Sequence, residues 1–378
     1  MLAVAASGCG GSKKSSSSHG SQTRTVQMDG VTSAFHGSFL AYFPKTVMVH
    51  PGDSVAIHGN WTGEPHSVTM GTLVEKGLAA AAHAKPNGPP PKAYAALPQM
   101  LPQGPGDAVQ AAARPCYLTS GVPPKNPATP CKQATQPAFD GTQSYYSSGW
   151  IKPGETWKLQ LSPNIKPGTY RYYCDLHGAD MSGSIVVVPR SQSIPSQSQV
   201  DAKGRAELQA MTQKAQPAYA AAKAGRYPVH GNLAGVLSPR AQQVSINEFV
   251  SSTVHSKAGS PVSWTFLGAH TLTFGGPENE QPVLTSAPDG SVHLRKSDIA
   301  PAGGPGAPPP SSGPPSAQPK PVVVRAGSYS GSGLHSSGLV LSFPPQLTRY
   351  TLTFTKPGTY KFDCLLHPHM EGKVVVAR

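Results

Sequence analysis

The chain has 378 residues, with 41 Pro and 40 Gly, and its 31 Lys plus Arg against 18 Asp plus Glu leave a formal charge of +13. That length holds two or three cores, and the Pro and Gly content puts much of the chain in loops. The basic residues are scattered, with no Lys/Arg run and no aromatic-basic interleaving, which argues against a base-stacking nucleic-acid groove and leaves a solvated surface suited to an anionic partner.

Taken in chain order, residues 1–22 hold a short apolar run ending in Ala6-Ser7-Gly8-Cys9, followed by a Ser-rich tether. This resembles the end of a bacterial lipoprotein signal, and the resemblance implies export and a lipid anchor on Cys9 at the outer face of the cytoplasmic membrane. No other run approaches the length of a membrane span. Residues 23–190 form a first unit of short β-branched and aromatic runs bounded by Pro-Gly and Ser-Gly, the pattern of strands. HPGDSVAIHGNW places Val55 and Ile57 on one strand face, and KPGTYRYYC (166–174) does the same for Tyr170, Tyr172 and Cys174. Between them, Leu78 to Pro137 reads as a low-complexity surface insertion. Within it Cys116 and Cys131 have no His or acidic neighbour, so a disulfide is expected in an exported protein. Closing that loop contributes about 3 kcal/mol.

Residues 191–240 read as a linker whose stretch 201–224 is the one good helix candidate, kinked near Pro217 and turning Leu208 and Met211 inward. Residues 241–378 repeat the first unit: HTLTFG (270–275) matches HSVTMG (66–71), SSGL (336–339) matches SSGW (147–150), and KPGTYKFDC (356–364) matches KPGTYRYYC. Its own insertion is PAGGPGAPPPSSGPPSAQPKP (301–321). The chain is expected to be all-β, with two copies of one unit and a helical linker.

Each copy places one His at a strand end and then Cys, His and Met on a short loop, in YYCDLHGADMSG (172–183) and KFDCLLHPHMEG (361–372). Thiolate, two imidazoles and a weak thioether are the donors of a trigonal copper site with a long axial bond. Both copies resemble cupredoxins, the plastocyanin, azurin and amicyanin family of type 1 blue copper proteins. The resemblance implies two Greek-key β-sandwiches, each with one copper cycling between Cu(I) and Cu(II). It assigns His66, Cys174, His177 and Met181 to the first copper, and His270, Cys364, His367 and Met370 to the second. Ser67 and Thr271 match a position whose side chain ties the two ligand loops together. By the same pattern His177 and His367 would lie near the surface, facing redox partners such as a cytochrome, oxidase or reductase. Two complete donor sets imply two coppers bound independently.

Rival readings are weaker. One Cys₂His₂ zinc site would leave the upstream histidines and the methionines without a role. A multicopper oxidase needs several His-x-His pairs, whereas the chain has only His367-Pro368-His369. His367 is preferred over His369 as ligand because it stands three positions after Cys364, as His177 does after Cys174. Electron transfer without catalysis is therefore expected, with a copper carrier or scavenger as the alternative. His36, His50, His58, His83, His230, His255, His293 and His335 lack this spacing and read as surface residues. The sequence sets no oligomeric state.

Overall fold

The computed structural model describes residues 20–60, 62–83, 91–95, 136–276, 284–286, 292–307 and 321–378. Cys9, Cys116 and Cys131, with the anchor and the disulfide expected of them, lie outside the described residues. Before the long helix Gln197–Lys223 come β1 (Thr23–Met28), β2 (Gly37–Phe39), β3 (Tyr42–Phe43), β4 (Thr46–Val49), β5 (Ser54–Gly59), β6 (Thr69–Met70), β7 (Tyr146–Ser147), β8 (Thr156–Gln160), β9 (Gly168–Cys174) and β10 (Gly178–Val187). After it come β11 (Asn232–Ser238), β12 (Ala241–Val250), β13 (Thr253–Lys257), β14 (Pro261–Phe266), β15 (Gly268–His270), β16 (Thr273–Phe274), β17 (Leu284–Ser286) and β18 (Val292–Leu294). The chain ends with β19 (Val322–Tyr329), β20 (His335–Ser336), β21 (Val340–Ser342), β22 (Thr348–Phe354), β23 (Gly358–Asp363) and β24 (Glu371–Ala377).

Alternation explains why these runs are strands. Met181, Gly183, Ile185 and Val187 of β10 are buried while their neighbours are less so, and Tyr350, Leu352 and Phe354 of β22 follow the same period of two. The N-terminal half forms two sheets, in the orders β3-β1-β5-β8 and β4-β10-β9-β6-β7. They close on one core in which Val26, Val55, Ile57 and Leu159 meet Val47, Met70, Tyr172 and Ile185.

The C-terminal half repeats this layout. Its sheets run β19-β22-β14-β11-β12-β2 and β13-β24-β23-β16-β20. In each half a parallel pair, β1 with β5 or β11 with β14, continues into an antiparallel neighbour, β8 or β22. The facing sheets match as well: β4 lies parallel to β10 as β13 does to β24, and the next strand, β9 or β23, runs antiparallel. The sequence repeats are thus repeats of strand topology.

One strand crosses between the halves. β2 pairs antiparallel with β12, Ser38 opposite Ser245, so the segment before β3 completes a sheet of the other half. The long helix lies against β1, β3, β11 and β12. Ser196 caps it, its side chain accepting from the Gln199 amide while the Gln199 side chain accepts from the Ser196 amide. Leu208 and Met211 pack beside Phe35, Phe43 and Val244, and the helix carries Pro217 inside and runs on to Lys223.

Two expectations need correction. The first insertion does not begin as loose chain, because Thr72–Ala82 is a helix. Its Leu-Ala-Ala-Ala-Ala stretch has high helix propensity, and Val74 and Leu78, four apart on one face, are buried against Tyr145 and Tyr173. Of the second insertion, residues 301–307 are described, and Ala302 bridges to Ser336. Nor are all the remaining histidines at the surface. His50 and His335 are buried, their Nε2 atoms 2.8 Å from the Gln192 carbonyl and 3.0 Å from the Tyr350 hydroxyl. Among the described residues no helix is long and apolar enough to cross a membrane.

Candidate metal centres

Cys174 ends β9, where alternation points Tyr172 and Cys174 into the core while Tyr173 faces the helix Thr72–Ala82 on the other side of the sheet. His66 approaches from the opposite strand end, pinned by its pairing with Ile151, and His177 sits in the turn between β9 and β10. The Nδ1 atoms of His66 and His177 are 3.2 Å apart, and the Cys174 Sγ lies 3.5 Å from the second and 4.0 Å from the first.

The second half builds the same triangle. His270 ends β15, Cys364 follows β23, and His367 lies in the turn before β24. The two Nδ1 atoms are 3.1 Å apart and the Cys364 Sγ is 3.4 Å from that of His367. In each triad the donor atoms all lie within 4.8 Å of one another. A point equidistant from three atoms so spaced lies roughly 2 Å from each, near ordinary metal–imidazole and metal–thiolate bond lengths. The donor set therefore fits one soft-to-borderline metal ion per triad. Met181 and Met370 are buried in the same cores as Cys174 and Cys364.

His369 is not in the triad. It is exposed at a positive φ of 63°, and its ring lies 5.0 Å from that of His36. Ser67 and Thr271 join the loops in the same way. The amide of each donates to the cysteine sulfur, at 3.4 and 3.3 Å. Each hydroxyl oxygen accepts from the residue after the cysteine, Asp175 at 3.0 Å and Leu365 at 2.7 Å.

Within each triad the imidazoles and the cysteine sulfur shift one another. Burial alone would raise the Cys174 thiol, but the His177 charge and hydrogen bonds from His177 and His66 outweigh it and hold the thiol well below its usual range. Cys364 is lowered by His367 and His270 against the same opposition. Burial would lower His177, yet the Cys174 thiolate and Glu64 push it up to about 10. A metal ion takes the place of their protons on binding.

The outer nitrogens distinguish the sites, and sequence reasoning missed the groups involved. His66 Nε2 donates to the buried Asp29 carboxylate at 3.1 Å, and Asp29 also accepts from the Thr62 hydroxyl at 2.5 Å. His270 Nε2 instead faces the Leu267 carbonyl at 3.0 Å. Burial would depress His66, but Asp29 and Cys174 lift it to about 9, whereas His270 is lowered, burial being the largest cause.

The register explains the difference. Met28 pairs with Gly59 at the end of the parallel β1–β5 ladder and Ala234 with Phe266 at the end of the parallel β11–β14 ladder, so Asp29 and Gly235 occupy matching positions, both at positive φ. A Cβ on Gly235 would stand 2.2 Å from His270 Nε2, which leaves no room there for a carboxylate side chain.

His367 corrects another expectation, for it is buried, 1% exposed, beneath the loop that carries Gly63 and Glu64. His177 is less deeply buried.

No family model and no curated protein matches the chain. Among solved structures it is similar to a dithionite-reduced auracyanin from the photosynthetic bacterium Roseiflexus castenholzii, at 18% identity over 44% of this chain and 97% of that one, with a TM-score of 0.22. It is also similar to a reduced Cu(I) form of an amicyanin point variant at pH 4, at 12% identity over 44% of this chain and 82% of that one, with a TM-score of 0.21.

Proposed function

We propose that the chain is an extracytoplasmic electron-transfer protein made of two cupredoxin-like units, each binding one copper through His, Cys, His and Met. The observation that carries this reading is the duplicated buried triad of one thiolate and two inward Nδ1 atoms, each with a methionine in the same core. Copper in such a site changes between Cu(I) and Cu(II) with little rearrangement of its ligands. The chain keeps that rearrangement small. Ser67 and Thr271 fix the cysteine loops, backbone amides stabilise the thiolates, and the outer histidine contacts hold the rings.

The ligand assignment is His66, Cys174, His177 and Met181 for one copper and His270, Cys364, His367 and Met370 for the other. Lipid anchoring through Cys9, the disulfide between Cys116 and Cys131, and docking to a redox protein complete the proposal. Adding Cu(II) to the purified chain should give intense visible absorption from thiolate-to-copper charge transfer at two coppers per chain. Cys174→Ser and Cys364→Ser should each remove about half of it, the double variant all of it. A colourless complex, or one copper per chain, overturns the reading. A coloured protein that passes copper to an acceptor but does not cycle reversibly would be a carrier instead.

A further inference from the structure

In both triads the histidines turn Nδ1 inward, leaving four outer Nε2 atoms to be held. Asp29 takes that of His66 and the Leu267 carbonyl faces that of His270. The other two converge on one side chain. Glu64 Oε2 is 2.8 Å from His177 Nε2, and its Oε1 is 3.7 Å from His367 Nε2. All three side chains are largely shielded from solvent, at 14% exposure for Glu64, 12% for His177 and 1% for His367.

The loop carrying Glu64 is pressed onto the second triad. Gly63 has φ +110°, and a Cβ on it would fall 2.4 Å from the His367 ring and 2.5 Å from the Leu366 carbonyl oxygen. Only glycine permits that approach. Trp150 and Leu176, both from the N-terminal half, pack into the C-terminal core.

We propose that Glu64 is a positioning residue shared by both metal centres, one carboxylate oxygen accepting from the outer N–H of His177 and the other facing the outer nitrogen of His367 at ion-pair distance. The inference rests on the metal-binding reading above. The two triads are then set by a common side chain and are not independent, contrary to what two complete donor sets imply. Whatever displaces Glu64 alters both.

The experiment uses full-length chains with one intact triad, Cys364→Ser for the first and Cys174→Ser for the second, each with and without Glu64→Gln. Glutamine keeps the size but replaces one acceptor oxygen with an N–H donor. With Cu(I) as probe against a competing chelator, Glu64→Gln should weaken binding about 10- to 100-fold in both backgrounds, the usual effect of losing a ligand's hydrogen-bond partner. A loss in the Cys364→Ser background alone would assign Glu64 to the first site and overturn the proposal.

A second readout needs neither metal nor a folded variant. Histidine side-chain NMR of the metal-free wild-type chain should show His177 and His367 both protonated at Nε2, with both protons protected from exchange. An unprotected His367 Nε2 proton overturns the shared role. If the single-triad chains bind no Cu(I) before Glu64 is changed, the metal reading fails, and the NMR result still decides what Glu64 holds.

Discussion

Aspartate 29 is one charged group that makes two similar triads unlike. Its carboxylate is fully buried and bound by the Gly30 and Phe39 amides, each at 2.6 Å, as well as by Thr62 and His66. A buried negative charge beside a ligand favours the more positive metal state, so the first site should have the lower reduction potential. Asp29→Asn keeps the volume and removes the charge. In the Cys364→Ser chain it should raise the potential and weaken copper binding about 10- to 100-fold, while in the Cys174→Ser chain it should change neither. Voltammetry and chelator competition read both, and equal losses in the two backgrounds would refute the argument.

The triads themselves were legible in the sequence because Cys and the second His lie on one short loop and the repeat marks the first His. Asp29 and Glu64 were not. Each is a single carboxylate in a loop, and its meaning comes from contacts with a ring 37 or 113 positions away that no local period encodes.

Among the elements, the last two strands of each half show what local pattern does and does not reveal. The sequence marks Gly183 and Gly372 as entries to a final strand, but not what they accommodate. Gly183 pairs with Tyr172 and Gly372 with Phe362, and in each case the aromatic ring lies across the glycine. A Cβ on Gly183 would come nearest the Tyr172 side chain, at 2.4 to 2.7 Å, whereas one on Gly372 would meet the Phe362 ring at 2.5 Å and the Ser252 carbonyl oxygen at 2.7 Å. A ring tip shifts more readily than backbone. Gly372→Ala should therefore cost about 1–3 kcal/mol, and Gly183→Ala less, read as a lower urea midpoint at unchanged slope. Equal costs would mean that the ring, not the backbone oxygen, sets the limit. The helix Thr72–Ala82 escaped notice for a related reason: Ala-rich sequence reads as low complexity until Val74 and Leu78 find Tyr145 and Tyr173 to cover.

On the scale of the whole molecule, the duplicated topology invites a picture of two beads on a string, which the contacts contradict. β2 belongs by sequence to the first half and by pairing to the second. Asn247 donates to the Ser38 hydroxyl at 2.8 Å, the Ser38 and Thr62 hydroxyls lie 2.8 Å apart, Thr62 donates to Asp29 at 2.5 Å, and His66 completes the chain of buried polar contacts. Groups buried in this way are costly to leave unpaired, so separating the halves would strand them along with Trp150, Glu64 and one face of the long helix.

The protein should accordingly unfold as one cooperative unit, with calorimetric and van't Hoff enthalpies in agreement. The sharper test places damage in one half and reads the other. Leu352 is fully buried in the C-terminal core, and Leu352→Ala should cost about 2–5 kcal/mol. In a Cys364→Ser chain, where only the first site gives colour, that substitution should lower the temperature at which the first site's visible band is lost, in step with the loss of far-ultraviolet signal. Colour surviving at its original temperature while part of the sheet melts would show two independent folding units, and the shared strand and polar network would then be contacts without thermodynamic weight.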